Sequence, residues 1–429
     1  MVKWRIFCIF IGKKIINMKT SKPLNQANFA DASALNQCTK VVINSESSAT
    51  ILSKLLEFAS SVPDFRRSNK GNIRHRLSDI IMLMILARAS DCVGRADILK
   101  FGGNNLSKLR KMGMFKNGIP SEPTLCRIEK GVDALAMADK MREFAESFRK
   151  KLHKNSDGFE IICVDGKAMR GTVQQNGRNP DIVSAYSPAT RIILATEACE
   201  EKSNEIKAVP RLLWKIDITG KVVTADAMSF QKPIIDLIRE RKGYFFIELK
   251  ANQRVLCYRI EDAIKDREPL YTHTPEPELT HGRIEIRTYN IYDGLDMIAD
   301  TEKWGGNLTV VQYISDTVKK STNDRTTERR LYLTNLPTDT PTLGAFVRTH
   351  WSIESMHWSL DVNFQQDKIK RKYSSAARNL DTIQRVVYSV YSIWKGLRKK
   401  LADKRKGVAE LKRHVSTNFT TLINFLSQN

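Results

Sequence analysis

The sequence predicts an α/β fold: a mixed sheet with flanking helices and a β-rich insertion, preceded by a small all-α domain. Three observations predict it. Hydrophobic patterning is helical from about residue 56 to 151. It then gives way to short β-rich runs that, after the third, alternate with amphipathic stretches. The helical period returns from "TLGAFVRTHWSIESMHWSL" onward. A chain of 429 residues has room for two or three domains, at about 150 residues each. Its 41% hydrophobic and 27% charged composition belongs to a folded protein rather than a disordered one.

Taken in order, residues 1–55 are polar and without period, a weakly ordered leader. The opening "MVKWRIFCIFIGKK" has a short apolar stretch between lysines but no small-residue cleavage site. It is not read as a signal peptide, and Met18 is an alternative start. Within 56–151, "LSDIIMLMILARAS" is apolar nearly all round and predicts a buried helix. Turn clusters such as "GGNN" and "KNGIPSEPT" separate shorter helices. Then "FEIICVD", "DIVSAYS" and "RIILATEAC" predict an antiparallel meander. "NEIKAVPRLLWKI" is a helix, "KVVTAD" a strand, "FQKPIIDLIRERK" a helix and "GYFFIEL" a strand. The order β-β-β-α-β-α-β is that of a ribonuclease-H-like sheet, here spanning 155–395. "HGRIEIRTYNIYDG", "NLTVVQYIS" and "ERRLYLTNL" form the β-rich insertion at about 255–335, and residues 396–429 a basic helical tail.

Charge narrows the partner. Lys+Arg number 70 against 47 Asp+Glu, a formal net charge of +23, which favours a polyanion: nucleic acid or an anionic membrane. The most apolar run, Ile80 to Ala87, is far shorter than the roughly 20 residues a spanning helix needs, so nucleic acid is the better partner. Lys and Arg are dense between 366 and 413, 15 against four acids. Seven cysteines form no CxxC pair, which points away from a disulfide framework or a zinc site and towards a reducing cytoplasm.

Two strand-end acids stand out, Asp165 after "FEIICV" and Asp226 after "KVVTA". Each taken singly could be a turn residue or a helix cap. In the predicted order their strands are neighbours, so the acids meet. Two divalent ions sharing a phosphate need a third hard-oxygen donor. Glu354 in "HWSIESMHW" is the candidate, its helical neighbours His350, Trp351, His357, Trp358 and Asp361 forming an aromatic, partly buried face. A solvated surface acid is the bland alternative for Glu354, and Asp361 is a rival third ligand.

The blocks "VDGKAMRGT", "KSNEI", "VTADAMSFQ", "LKANQ", "HGRIEIR" and "RTHWSIESMHWSLDVNFQQD" resemble those of ISAs-type insertion-sequence transposases, also called H-repeat-associated proteins. "VPDFRR" and "GIPSEPTLCRI" resemble that family's N-terminal associated domain, and the likeness runs from roughly 58 to 390. This sequence departs only slightly from that pattern, with Ser355 where the family usually has Asn after the Glu, and "SEPTLCRI" in place of a more usual aspartate-threonine pair. The resemblance implies a DDE transposase with catalytic and metal-binding Asp165, Asp226 and Glu354, using Mg²⁺ with Mn²⁺ as a substitute, two ions per site. It implies terminal inverted repeats and target DNA as substrates, a homo-oligomer on DNA, and a bacterial cytoplasmic, nucleoid-associated location. Lys167, Arg170, Lys202, Lys250, Arg348, Lys368 and Arg371 are candidate phosphate contacts, and His357 is a packed or phosphate-contacting residue. A domesticated DNA-binding protein that no longer cuts, and a ribonuclease-H-like nuclease without strand transfer, are the alternatives.

Overall fold

The computed structural model describes residues 50–67, 73–149, 159–173, 179–199, 205–280, 282–295, 301–341, 343–398 and 405–427, with a few short pieces between. The expected leader therefore lies almost wholly outside the described residues, as does Lys202. Among the described residues, six helices precede the main sheet: α1 (Ile51–Ser61), α2 (Leu77–Ala89), α3 (Arg95–Asn104), α4 (Leu106–Lys111), α5 (Glu122–Gly131) and α6 (Ala134–Arg149). The Thr50 hydroxyl starts α1 by accepting the Ser53 N–H at 3.1 Å. Helix α2 is buried at every residue except Ser78, as its all-round apolar sequence requires. Its one buried carboxylate, Asp79, accepts the Phe115 N–H at 3.0 Å and pairs with Arg76.

The sheet follows in the predicted order: β1 (Ile161–Ala168), β2 (Asp181–Ser187), β3 (Ile192–Ala198), α7 (Glu205–Trp214), β4 (Val222–Ala225), α8 (Lys232–Glu240) and β5 (Tyr244–Leu249). Strands β1, β2 and β3 are an antiparallel meander. Strands β4 and β5 add parallel to β1, Val164 lying opposite Ala225 and Ala225 opposite Ile247. Parallel neighbours need crossovers, which α7 and α8 supply. Strand β1 does not stop at Asp165: β2 pairs with it through Ala168, while its pairing to β4 ends at Val164.

The next segment opens with a helix, α9 (Arg254–Lys265), whose inward Cys257 and Ile260 sit three apart. Strands β6 (Tyr271–His273), β7 (Glu278–Thr280) and β8 (Arg283–Asp293), the short α10 (Thr301–Trp304), and strands β9 (Thr309–Lys319) and β10 (Arg325–Thr334) follow. These strands are not a separate layer. Strand β10 pairs antiparallel with β5, Thr334 opposite Phe246, so one sheet runs β6-β8-β9-β10-β5-β4-β1-β2-β3 with β7 beside β8. Pairing with β10 satisfies the backbone groups that β5 would otherwise present as an open edge.

Among the described residues, four helices follow β10: α11 (Leu343–Val362), α12 (Ser374–Leu397), α13 (Val408–Ser416) and α14 (Phe419–Leu426). Helix α12 packs on α2, α5 and α6 on one side and on β3 on the other, which explains why nearly all of it is buried. Its Arg385, 1% exposed, is satisfied by Asp381 at 2.7 Å and by the Ser184 hydroxyl at 2.7 Å. No described helix is long and apolar enough to cross a membrane.

Candidate active site

The parallel register sets the acids in a row. Val164, Ala225 and Ile247 lie opposite one another on β1, β4 and β5, so the next residues along, Asp165, Asp226 and Glu248, stand at one height on three neighbouring strands about 4.8 Å apart. Alternation puts these three on one face of the sheet, with Cys163, Thr224 and Phe246 one pleat below. Helix α11 crosses that face. Phe346 meets the Phe246 ring edge-on, His350 Nδ1 lies 3.0 Å from Thr224 Oγ1, and the Cys163 thiol faces the Thr349 carbonyl at 3.4 Å.

Two turns further along α11, His357 Nδ1 reaches 3.3 Å from the Asp165 carboxylate. Glu354 sits between these contacts, four residues after His350 and three before His357, so it overhangs the acid row from above. It is exposed, and so is Trp358 at 60%; the burial expected on this face is carried by His357, which is buried, and by half-buried His350 and Trp351, the last packing on Tyr313 and Arg330. The rival acid, Asp361, is held by Lys167 at 2.7 Å.

Residues 156–389 match the family described as Transposase DDE domain, and residues 56–145 match the one described as DDE_Tnp_1-associated. The chain belongs to the DDE transposase family. The "H repeat-associated putative transposase YhhI" of Escherichia coli K12 is 32% identical over 82% of this chain and 94% of its own length. The "Putative transposase YncI" of Escherichia coli O157:H7 is 31% identical over 83% of this chain and 92% of its own length. A short relative, "Inactive transposase YbfQ" of Escherichia coli K12, is 43% identical over 18% of this chain and 89% of its own length.

The acids of this transposase oppose one another electrostatically. Burial, then the charge of Asp165, raises the Asp226 carboxyl above its ordinary range. Glu354 is raised in the same way, by partial desolvation against the sheet and then by Asp165. A further acid, Glu205 at the start of α7, is pushed up to about 7 by burial and by the charges of Asp226 and Asp165. Glu248 is compensated: Lys250 lies 2.9 Å away and Arg330 3.8 Å. Oxygen donors whose negative charges are mutually uncompensated fit a hard divalent cation, and Asp165, Asp226 and Glu354 are the residues that could hold one. Among the described residues no three His, Cys, Asp or Glu side chains are yet drawn together as a chelating group. Asp165 instead faces His357 and accepts the Gly166 N–H at 2.9 Å.

The transposase's expected phosphate contacts fall into two kinds. Lys167 is buried between Asp361 and Asp367, Arg371 pairs with Glu129 at 3.2 Å, Arg348 pairs with Glu278, and Lys250 pairs with Glu248 while remaining largely exposed. Arg170 and Lys368 are exposed. They lie on two loops locked together: the Arg170 N–H donates to Asp367 at 3.2 Å, and a Cβ on Gly171 would come within 2.6 Å of the Ile369 carbonyl. His357 is buried against Asp165, which leaves its imidazole to orient that carboxylate.

Sequence reasoning gave no role to Glu205, Glu248, Asn252 or Gln253. The Asn252 amide donates to the Ala227 carbonyl at 2.5 Å and the Gln253 amide to the Phe230 carbonyl at 3.1 Å, so the "LKANQ" block pins the loop that follows Asp226. For Glu205 one signal was present: Gly166, inside a strand and directly after an acid, marks a close approach.

Proposed function

We propose that this transposase cuts and joins the ends of its DNA element by metal-assisted phosphoryl transfer, with Asp165, Asp226 and Glu354 holding the metal. The observation that carries the reading is the register: two carboxylates level on adjacent parallel strands, overhung by a third from α11. These carboxylates would hold two divalent ions, Mg²⁺ or Mn²⁺, which would supply activation of the attacking oxygen and stabilisation of the leaving one. His357 orients Asp165, and Asn252 with Gln253 fixes the loop that carries Asp226. Exposed Arg170, Lys368 and Lys250 meet backbone phosphates of double-stranded DNA at the rim, the substrates being terminal inverted repeats and target DNA. The chemistry forms no bond to the protein, so it needs no Ser or Tyr nucleophile.

The same reading divides the chain into a leader (1–55), an associated helical domain (56–151), the catalytic domain (155–395) and a basic tail (396–429). It places the working protein on DNA in a bacterial cytoplasm at the nucleoid, as a homo-oligomer. Incubating the protein with an element-end duplex in Mg²⁺ tests it. Strand cleavage and joining by the parent, lost in Asp165→Asn and Glu354→Gln, is the expected result; cleavage that survives both substitutions would refute the assignment.

A further inference from the structure

The site described above draws on one face of the sheet; a fourth carboxylate approaches from the other. Gly166 follows Asp165 in β1 and therefore points to the opposite face, where α7 packs on β2 and β3. Glu205 opens that helix. A Cβ built on Gly166 would lie 2.4 Å from Glu205 Oε1 and 2.7 Å from its carboxyl carbon. The Glu205 carboxylate thus fills the notch that the missing side chain leaves, one residue past Asp165, where the pairing of β1 to β4 has ended.

A simpler explanation exists, since an acid in the first turn of a helix is stabilised by the macrodipole. That effect is available to a carboxylate pointing into water. It gives no reason for Glu205 to be half-buried, nor for a glycine to interrupt a strand, where it weakens the backbone and packs nothing. No lysine or arginine among the described residues forms an ion pair with Glu205 to offset its charge.

We propose that Glu205 is a fourth carboxylate of the metal centre, admitted through the notch at Gly166 as an additional hard-oxygen donor for a divalent cation. The proposal rests on the metal centre put forward above. It makes "VDG" and "KSNEI" two halves of one device: the strand supplies an acid and a gap, and the helix supplies the acid that fills the gap.

The experiment titrates Mn²⁺ into the full-length chain by calorimetry, with thermal unfolding of each protein recorded without added ions. Glu205→Gln is expected to weaken Mn²⁺ binding by about tenfold to a hundredfold, the range seen for residues supporting a metal site. It should unfold no earlier than the parent, because one of several facing negative charges is gone. Glu205→Asp, which withdraws the carboxylate by one methylene, should weaken Mn²⁺ binding as well. Gly166→Ala should cost stability in the parent and much less in a Glu205→Ala background, where the notch is vacant. If Glu205→Gln binds Mn²⁺ like the parent while Asp226→Asn has lost binding, Glu205 has no part in the centre. If the parent binds no Mn²⁺, the metal centre and this proposal fall together.

Discussion

Asp226 has the position of a cap: it precedes a short 3-10 turn, and its own carbonyl accepts the Ser229 N–H at 3.1 Å. Its side chain makes no capping hydrogen bond. Asn caps as well as Asp but lacks the charge that offsets a divalent ion. Asp226→Asn is therefore expected to melt near the parent's temperature in the absence of metal while cleavage falls by more than about a hundredfold; parent-like cleavage would return Asp226 to a structural role. His350 behaves in the opposite sense. Burial against Thr224 lowers its imidazole to about 4, below the roughly 6.5 of an unfolded chain. As pH falls, the unfolded chain takes up this proton first, so the stabilisation is whole above about 6.5 and is lost towards pH 4, on the order of 3 kcal/mol in all. Urea unfolding of the parent and of His350→Gln, which keeps a partner for Thr224, should show the parent's advantage shrinking across that window. A pH-independent difference would mean that the imidazole is not held neutral.

Among the elements, α11 and the turn Ala251–Gln253 that precedes α9 do the positioning. Helix α11 is clamped at Trp351, between the Tyr313 ring at 6.0 Å and the Arg330 guanidinium at 5.4 Å, both from the inserted strands. The insertion thereby extends the sheet and also buttresses the helix that carries Glu354. The short turn Ala251–Gln253, just before α9, holds the Asp226 loop by side-chain amides rather than by packing. Asn252→Ala frees the Ala227 carbonyl and is expected to slow single-turnover cleavage by about tenfold or more, with DNA affinity unchanged because no phosphate contact is removed. Equal single-turnover rates would show that the loop needs no such pin.

At the scale of the whole molecule, the N-terminal helices and the sheet are joined by buried polar contacts as well as by apolar packing. The Glu129 side chain, fully buried on α5, receives Arg95 at 2.6 Å and Arg371 at 3.2 Å, and the α12 residue Asn379 donates to the Glu129 and Val132 carbonyls. Removing a buried ion's partner costs about 3–5 kcal/mol. Glu129→Gln should therefore lower the melting temperature of the helical domain and the sheet together, as one calorimetric transition; a lowered transition for the helices alone would mean the two fold independently. The net charge of +23 acts over longer range. DNA affinity should fall at least about tenfold between 50 and 200 mM salt, with the same slope in Asp226→Asn, since carboxylates that hold metal do not hold phosphate. A binding constant indifferent to salt would contradict the electrostatic account.

Much of the fold was legible because it rests on local periodicity. The runs "FEIICVD", "KVVTAD" and "GYFFIEL" are strands wherever they are placed, and their order with "NEIKAVPRLLWKI" and "FQKPIIDLIRERK" makes β1, β4 and β5 parallel neighbours. Asp165 and Asp226 could be paired on that basis, and the sequence likewise carried the excess of positive charge. What it left open depends on which face meets which. That β10 joins β5, that Asp361 is taken by Lys167, and that Arg348 and Arg371 are spent on internal acids are outcomes of groups meeting across 70 or more residues of chain. Glu205 is the clearest case. Its 39 residues of separation from Gly166 (205 − 166) carry no periodic signal, and only the packing of α7 on the far face brings a carboxylate into the gap that a glycine leaves. Periodicity is written residue by residue, whereas complementarity between a notch and the group that fills it exists only once the chain has folded.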